Sequence, residues 1–192
     1  MLDARPEVLD FLLTRRSRPA KTLRGPVPDR AALMPMLEAA ARTPDHGKLE
    51  PWRFVVLEAA AMARLAELTE ARGKALGLEP EKIEKARRQF GDAELAIAVV
   101  AAPVPSEKVP EVEQILSAGA VCLALLNAAL ASGWGANWLS NWMAYDRDFL
   151  DQGLGLAEHE FIAGYLHIGT ETNRPPERPR PDLAVKTTWV NA

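Results

Sequence analysis

The stretch AELAIAVVAAP, residues 93–103, is a continuous apolar run with the length and composition of a β-strand. A strand without alternating polar residues is covered on both faces, so we expect this run in the middle of a sheet. Three further segments have a strand-like composition and are bounded by glycine, by proline or by an alanine-rich helical pattern. These segments are residues 52–58, 133–142 and 160–170.

Helical patterns separate the strand-like segments. A first helix is predicted from Pro6 to about Arg15, and a second from a cap at Asp29 towards Arg42. The alternation of strands and helices, taken alone, predicts a parallel α/β sheet. The mixed charges of residues 80–90 are interpreted as a solvated helix face, to which no chemistry is assigned. The other predicted helices cover residues 59–77 and 109–132.

Length, composition and charge restrict the class of protein. The 192 residues suit a single domain, 1–192, and nearly half of them are apolar, while the formal net charge is −3. These values argue against disorder and against a nucleic-acid partner, and they favour a small-molecule partner. The most apolar segment, residues 115–131, contains Ser117 and Asn127 and is shorter than the roughly 20 residues of a membrane span. We therefore interpret it as a core helix, with no membrane contact.

Cysteine usage and the two ends of the chain suggest where the protein works. Cys122 lies in the apolar run AVCLALL and is interpreted as an inert buried thiol. The start, MLDARPEVLDFL, has acids and a proline where an export signal has a basic flank, so a cytoplasmic protein is predicted. The tail, residues 171–192, is rich in proline and arginine and is expected to be an extended arm. Such an arm is either disordered or wrapped over a partner subunit, and its terminal apolar residues favour wrapping.

Two arginines and a serine, Arg15, Arg16 and Ser17, follow the first helix in the stretch LLTRRSRP, residues 12–19. Cations near a helix end interact favourably with the helix dipole, so this group has an ordinary explanation as solvated surface. The alternative is an anion-binding cluster, because two guanidinium forks and a hydroxyl suit a phosphate or a carbonyl-rich heterocycle. The tripeptide alone leaves both interpretations open.

Two further segments bring polar and aromatic residues together. The loop RTPDHGKLEPWRFVVL, residues 42–57, carries Arg42 and His46 between a helix end and a strand start, where ligand-binding loops are common. The segment GWGANWLS, residues 133–140, follows the long core helix. It ends in Trp138, Leu139 and Ser140.

In their order and spacing, these motifs resemble those of the nitroreductase family of FMN-dependent oxidoreductases, in its small bacterial YdjA-like branch. The matching features are RRS, the R-x-P-D-H loop followed by Pro51 and Trp52, and the W-x-S tripeptide after the sequence GWG. The segments KVPEVEQILSAGA and GYLHIGT match as well, so the resemblance covers nearly the whole chain. No single motif is highly specific, but their colinear order is.

The resemblance implies an α+β fold with a central, mostly antiparallel sheet flanked by helices. It also implies a homodimer that exchanges its C-terminal arms and binds two FMN molecules at the interface. One chain would hold the flavin with Arg15, Arg16, Ser17, Arg42 and His46, and the other with Trp138, Leu139 and Ser140. Trp138 either stacks on the ring or packs as an ordinary aromatic, and His46 would donate a hydrogen bond. No catalytic acid or base is predicted, because the flavin carries the chemistry. No metal ion is predicted, because His159 and His167 lie apart, with no cysteine or carboxylate at ligand spacing.

The implied activity is hydride transfer from NAD(P)H through FMN to a small electron-poor acceptor, such as a nitroaromatic or a quinone, by a ping-pong mechanism. Two residues depart from the family pattern: Glu50 replaces the usual amide, and Leu139 replaces the arginine of a relative. Two alternatives therefore stay open. One is a flavin-binding storage or interaction protein with little turnover, and the other is a flavin dehydrogenase or dehalogenase with a different substrate.

Overall fold

The computed structural model describes residues 3–191 and contains a five-stranded sheet. The strands are β1 (Leu23–Arg24), β2 (Trp52–Glu58), β3 (Leu95–Ala101), β4 (Gly135–Leu139) and β5 (Phe161–Glu171). The α-helices are α1 (Pro6–Thr14), α2 (Arg30–Ala40), α3 (Ala59–Ala75), α4 (Pro80–Gly91), α5 (Glu111–Ala131), α6 (Arg147–Leu154) and α7 (Leu183–Lys186). Short 3-10 turns lie at Ala20–Thr22, His46–Lys48 and Trp142–Ala144.

All the described strand pairings are antiparallel. The parallel sheet predicted from the alternation alone is therefore wrong, whereas the mostly antiparallel sheet implied by the resemblance is confirmed. The reason lies between β2 and β3, where the chain forms two helices, α3 and α4, that pack against each other. A single crossover helix would return the chain to the start of the next parallel strand. A pair of helices instead brings the chain back to the end at which β2 finished, so β3 runs in the opposite direction.

The strand predicted to be central, β3, lies between β2 and β5, and all seven of its residues are buried. One face of the sheet packs against α3, α4 and α6, and the other packs against α2 and α5. On the far side of β5, strand β4 pairs with the residues that follow Gly164. Across the sheet the order is therefore β2, β3, β5 and β4, which puts β2 and β4 at opposite edges.

Helix α5 packs against β3, β4, β5 and α2, as its interpretation as a core helix predicts. Among residues 3–191 it is also the one helix that is long and apolar enough to span a membrane by length and composition, and 44% of its most apolar window is buried. Its outward side leaves Val112, Leu116 and Leu123 exposed.

Two more apolar surfaces stay uncovered by the chain itself. Helix α1 buries none of its residues, and Leu9 and Leu13 lie on its exposed surface. Beyond β5 the tail is almost entirely exposed, and the exposed fraction of Trp189 reaches 88%. Together with the outward side of α5, these segments leave several large apolar side chains of the single chain exposed.

Candidate functional site

The arginine-rich segment after α1 lies along the outer edge of β4. The backbone N–H of Arg18 donates to the carbonyl of Ala136 over 2.8 Å. The side-chain amide of Asn137 donates to the carbonyl of Arg18 over 2.6 Å. These two bonds place Arg15, Arg16 and Ser17 beside the strand that carries Trp138 and Leu139 in the same chain.

Arg15 and Arg16 form a cationic pair without a carboxylate partner in the described part of the chain. Arg15 Nη2 donates to Ser17 Oγ over 3.0 Å, but the buried Nε atoms of both arginines have no hydrogen-bond partner among residues 3–191. Burial lowers the pKa of Arg15, and the guanidinium groups of Arg180, Arg16 and Arg18 lower that pKa further. Buried donors that are unsatisfied in a field of like charges are the features expected of an anion site.

Two further arginines border this pair, and each of them forms a salt bridge with a carboxylate. Arg18 lies 3.2 Å from a carboxylate oxygen of Glu171, and Arg180 lies 2.8 Å from one of Glu177. Arg180 comes from the C-terminal tail, and its Nη2 lies 3.5 Å from the carbonyl of Arg15. The tail therefore contributes a cation to the same cluster.

Trp138 lies against the middle of β5. Its indole Nε1 donates to the carbonyl of Ala163 over 3.2 Å, and its ring occupies the space that a Cβ atom would need at Gly164. The side chain is nevertheless 38% exposed. Trp138 is thus neither a buried core residue nor a free surface residue. Its ring is held in place by β5, and part of the ring remains accessible to solvent.

Leu139 and Ser140 open onto a cleft with a volume of about 1170 Å³. Its other walls are the turn Pro19–Lys21, which directly follows the arginine segment, and helix α4. Asn141 ends the lining segment with φ 111° and ψ 173°, a backbone conformation that side-chain-bearing residues rarely adopt. Such conformations persist where the surrounding structure holds them, and they cluster at ligand sites.

The loop with Arg42 and His46 lies beside β2, at the edge of the sheet opposite to β4. Ser117, near the start of α5, donates to the carbonyl of Pro44 over 2.9 Å and accepts from the indole of Trp52 over 3.1 Å. His46 Nδ1 lies 2.7 Å from Glu113 Oε2, also on α5. The loop is thus fixed to the start of α5 and to β2, and Arg42 and His46 are exposed.

The arginine segment and the loop with Arg42 and His46, which are expected on the same copy at one site, lie at different edges of the sheet within one chain. β2 and β4 are separated by three strand spacings, about 14 Å, and the arginine segment lies beyond β4. Within one chain, Arg15, Arg16 and Ser17 therefore lie near residues 138–140 and far from Arg42 and His46.

Comparison with known proteins agrees with this fold and these motifs. The family described as the Nitroreductase family matches residues 12–170. The chain belongs to the nitroreductase family. YdjA of Escherichia coli (strain K12), named as an NAD(P)H nitroreductase, is 35% identical over 164 residues, which is 85% of this chain and 88% of that protein. A Haemophilus influenzae protein, also named as an NAD(P)H nitroreductase, is 37% identical over 166 residues, with the same shares of both chains.

Solved structures of nitroreductase-like proteins show the same fold. A nitroreductase-like family protein from Bacillus cereus covers 100% of both chains, with a TM-score of 0.77 and 21% identity. A protein from Desulfovibrio desulfuricans, described as a nitroreductase in complex with FMN, covers 95% of this chain and 96% of its own, with a TM-score of 0.71 and 21% identity. Membership in the nitroreductase family places the chain among oxidoreductase enzymes.

In this nitroreductase-family chain, sequence reasoning missed the residues that hold the site residues in place. Glu113 pairs with His46, and Gln89 of α4 donates to the carbonyl of Ser140 over 3.0 Å. Glu113 has the appearance of an ordinary acid in the first turn of a helix, and Gln89 lies in a helix interpreted as a solvated face. Nothing in the local sequence marks either residue, since their partners are distant along the chain.

Proposed function

We propose that this chain is an FMN-dependent NAD(P)H oxidoreductase that reduces a small electron-poor acceptor. The observation that carries the proposal is the pair of buried Nε atoms of Arg15 and Arg16, which have no hydrogen-bond partner among residues 3–191 and lie in the segment bonded to the edge strand β4. The family relatives named as NAD(P)H nitroreductases, and the FMN complex of a structural neighbour, support the same cofactor and reductant.

The residues present fit FMN. A phosphate dianion would neutralise Arg15 and Arg16 and would satisfy the donors that the chain itself leaves free, with Arg180 at the rim of the cluster. The partly exposed indole of Trp138 offers a surface for a planar ring. The cleft at Leu139 and Ser140, which Trp138 does not line, offers room for a small reaction partner.

We further propose that the functional unit is a homodimer, with Arg42 and His46 of one copy facing the arginine segment and residues 138–140 of the other. The separation of the two groups at opposite edges of the sheet supports this arrangement. The exposed apolar sides of α1 and α5 supply surface for a second copy. The tail, residues 171–192, would be an arm on the single domain and would cover the partner with its exposed apolar residues.

When bound, FMN supplies the redox chemistry, since its ring accepts a hydride and passes it on. The chain's own residues bind and orient. Arg15 and Arg16 hold the anionic end, and a guanidinium near the ring's carbonyl edge stabilises negative charge there. Trp138 and Leu139 restrict water on one side, and His46 Nε2 remains available as a hydrogen-bonding group because Nδ1 lies beside Glu113. Reductant and acceptor would use the same slot in turn, which is a ping-pong scheme.

Glu50, one of the two departures from the family pattern, is exposed in the single chain, and its backbone N–H donates to Asp45 Oδ2 over 2.7 Å. A reducing cytoplasm suits Cys122, which is buried and whose pKa is raised to about 12 by that burial.

The test begins with the colour of the purified protein. We expect a yellow protein that releases free FMN on denaturation and oxidises NADH or NADPH when nitrofurazone or a quinone is supplied. A colourless protein that cannot be reconstituted with FMN would overturn the proposal. A yellow protein without turnover would contradict the proposed activity and would favour the two alternatives, a flavin-storage protein or a flavin enzyme with a different substrate.

A further inference from the structure

Helix α4 forms one wall of the cleft beside Ser140. Its buried side consists of Ile83, Ala86 and Phe90, while charged residues of its other side, among them Lys85 and Arg88, line the cleft, and Glu84 forms salt bridges with Arg87 and Arg88. Gln89 belongs to neither group, because it is half-buried and reaches across the cleft edge to the segment after β4.

The carboxamide of Gln89 contacts two consecutive residues. Its Nε2 donates to the carbonyl of Ser140 over 3.0 Å, and its Oε1 accepts from the side-chain amide of Asn141 over 3.5 Å. One side chain thus both donates to and accepts from the same turn. The bond to the Ser140 carbonyl holds the Ser140–Asn141 peptide against α4, and the longer contact joins Gln89 to the Asn141 side chain.

The turn needs such an external hold because its backbone is strained. Asn141 has φ 111°, where glycine is the residue that fits, and its Oδ1 accepts from the N–H of Trp142 over 2.8 Å. A peptide next to a residue with positive φ can rotate, and a flip would exchange its C=O and N–H directions. Because the peptide is planar and trans, the bond to the Ser140 carbonyl sets the direction of the Asn141 N–H as well.

We propose that Gln89 is a positioning residue that locks the Ser140–Asn141 peptide and thereby sets which of its polar groups a bound flavin ring meets. The inference rests on the proposed flavin function. A peptide that presents a donor or an acceptor to a flavin edge stabilises the oxidised and reduced rings to different extents, because reduction adds a proton and negative charge to the ring. Gln89 therefore acts on the reduction potential through the turn, without touching the cofactor.

The test compares Gln89→Leu and Gln89→Glu with the wild-type protein. Leucine removes both contacts, and glutamate keeps the reach but cannot donate to the Ser140 carbonyl. Gln152→Leu is the matched control, since Gln152 is an exposed glutamine on α6. The measurements are the FMN dissociation constant, the midpoint potential of the bound flavin, and the hydrogen exchange of the Asn141 amide in the apoprotein.

We expect both Gln89 variants to weaken FMN binding by about three- to tenfold, with one redox state affected more than the other. A tenfold difference between the two states corresponds to about 30 mV for a two-electron couple. Exchange at Asn141 should accelerate in the same variants, while Gln152→Leu should change none of the three measurements.

Unchanged potential and exchange in both Gln89 variants, with FMN bound, would overturn the positioning role and leave the proposed function intact. A change in potential and exchange that appears only in Gln89→Leu would also overturn the positioning role. Such a result would show that the bond donated to the Ser140 carbonyl is not required. Wild-type protein that binds no FMN would overturn the proposed function itself.

Discussion

The indole of Trp138 fills the space above the backbone of Gly164, the residue that lies diagonally across from it on β5. A Cβ atom at Gly164 would overlap the ring, so glycine is required there for a packing reason. The pair fixes the position of an aromatic surface on β4, the strand to which the arginine segment is bonded through Arg18. The first prediction follows from this contact.

Gly164→Ala should displace Trp138 and lower the free energy of unfolding by about 1–3 kcal/mol, the usual range for an overpacked site. It should also weaken FMN binding, because the ring surface moves. Urea unfolding and fluorescence titration with FMN measure the two effects. In a Trp138→Ala background the added methyl group has room, so Gly164→Ala should then cost little stability. An equal cost in both backgrounds would show that the strain lies elsewhere.

Arg15→Ala and Arg16→Ala should each weaken FMN binding by about ten- to a hundredfold, the loss of one charge-assisted contact of roughly 1.5–3 kcal/mol. If the two residues only decorate a helix end, stability should change by about 0.3–1 kcal/mol and FMN affinity should not change. Arg30→Ala, at the exposed start of α2, is the control. Lysine at 15 or 16 separates charge from the bidentate geometry, because it retains only the charge.

Stability should fall between neutral and mildly acidic pH because of His167. This residue is 1% exposed, and burial lowers its pKa to about 4 from the ordinary 6.5. The unfolded chain therefore takes up a proton at a higher pH than the folded chain, and stability is lost as the pH falls from about 6.5 towards 4.

The expected loss between pH 7 and pH 5 is about 2 kcal/mol in the free energy of unfolding. Urea titrations at the two pH values measure it. His167→Leu should remove most of this slope, since the leucine does not titrate. A wild-type slope retained in His167→Leu would assign the pH dependence to other groups.

Leu116→Glu should dissociate the proposed dimer and release FMN. Leu116 is 68% exposed on the outward side of α5, so the charge costs the single chain little but would be buried in a dimer interface. Light scattering and flavin content on dilution are the measurements. Leu76→Glu is the control, because Leu76 is 46% exposed at the end of α3, away from that side of α5. A Leu116→Glu protein that stays dimeric would exclude this surface from the interface.

Glu50→Gly should raise the melting temperature. Glu50 has φ 47°, a left-handed conformation that is unfavourable by about 1–2 kcal/mol for residues with a Cβ atom. Glycine removes this strain, but the greater freedom of glycine in the unfolded chain offsets part of the gain in stability. The bond from its backbone N–H to Asp45 survives the change. FMN affinity should stay the same, because the side chain is exposed. A lower melting temperature would mean that the Glu50 side chain makes a stabilising contact.

The local elements were largely predictable because their signals are short-range. Asp29 caps α2 by accepting from Ala32 N over 2.8 Å, as its residue type predicts, and the apolar run at 95–101 is the buried central strand. The strand direction was not predictable from alternation, since it depends on how the two helices between β2 and β3 pack. The resemblance to a family supplied that information, which the residues alone did not.

The candidate site shows the same limit. Arg15, Arg16 and residues 138–140 could be named from their motifs, and the structure brings them together at the edge of β4. Their separation from Arg42 and His46 could not be foreseen, because it depends on the order of strands across the sheet. The contribution of Gln89 was equally hidden, since a glutamine in a charged helix gives no sign of a partner 51 positions along the chain.

The arginine segment also protects the sheet. Without the bonds from Arg18 to Ala136 and from Asn137 to Arg18, β4 would present an open edge, which is a template for intermolecular strand pairing and aggregation. In the proposed function, an anion bound to Arg15 and Arg16 would therefore also keep that edge covered. Cofactor loss and insolubility should for this reason appear together. The solubility of the apoprotein should depend on how firmly the arginine segment, which is outside any helix or strand, stays bonded to β4.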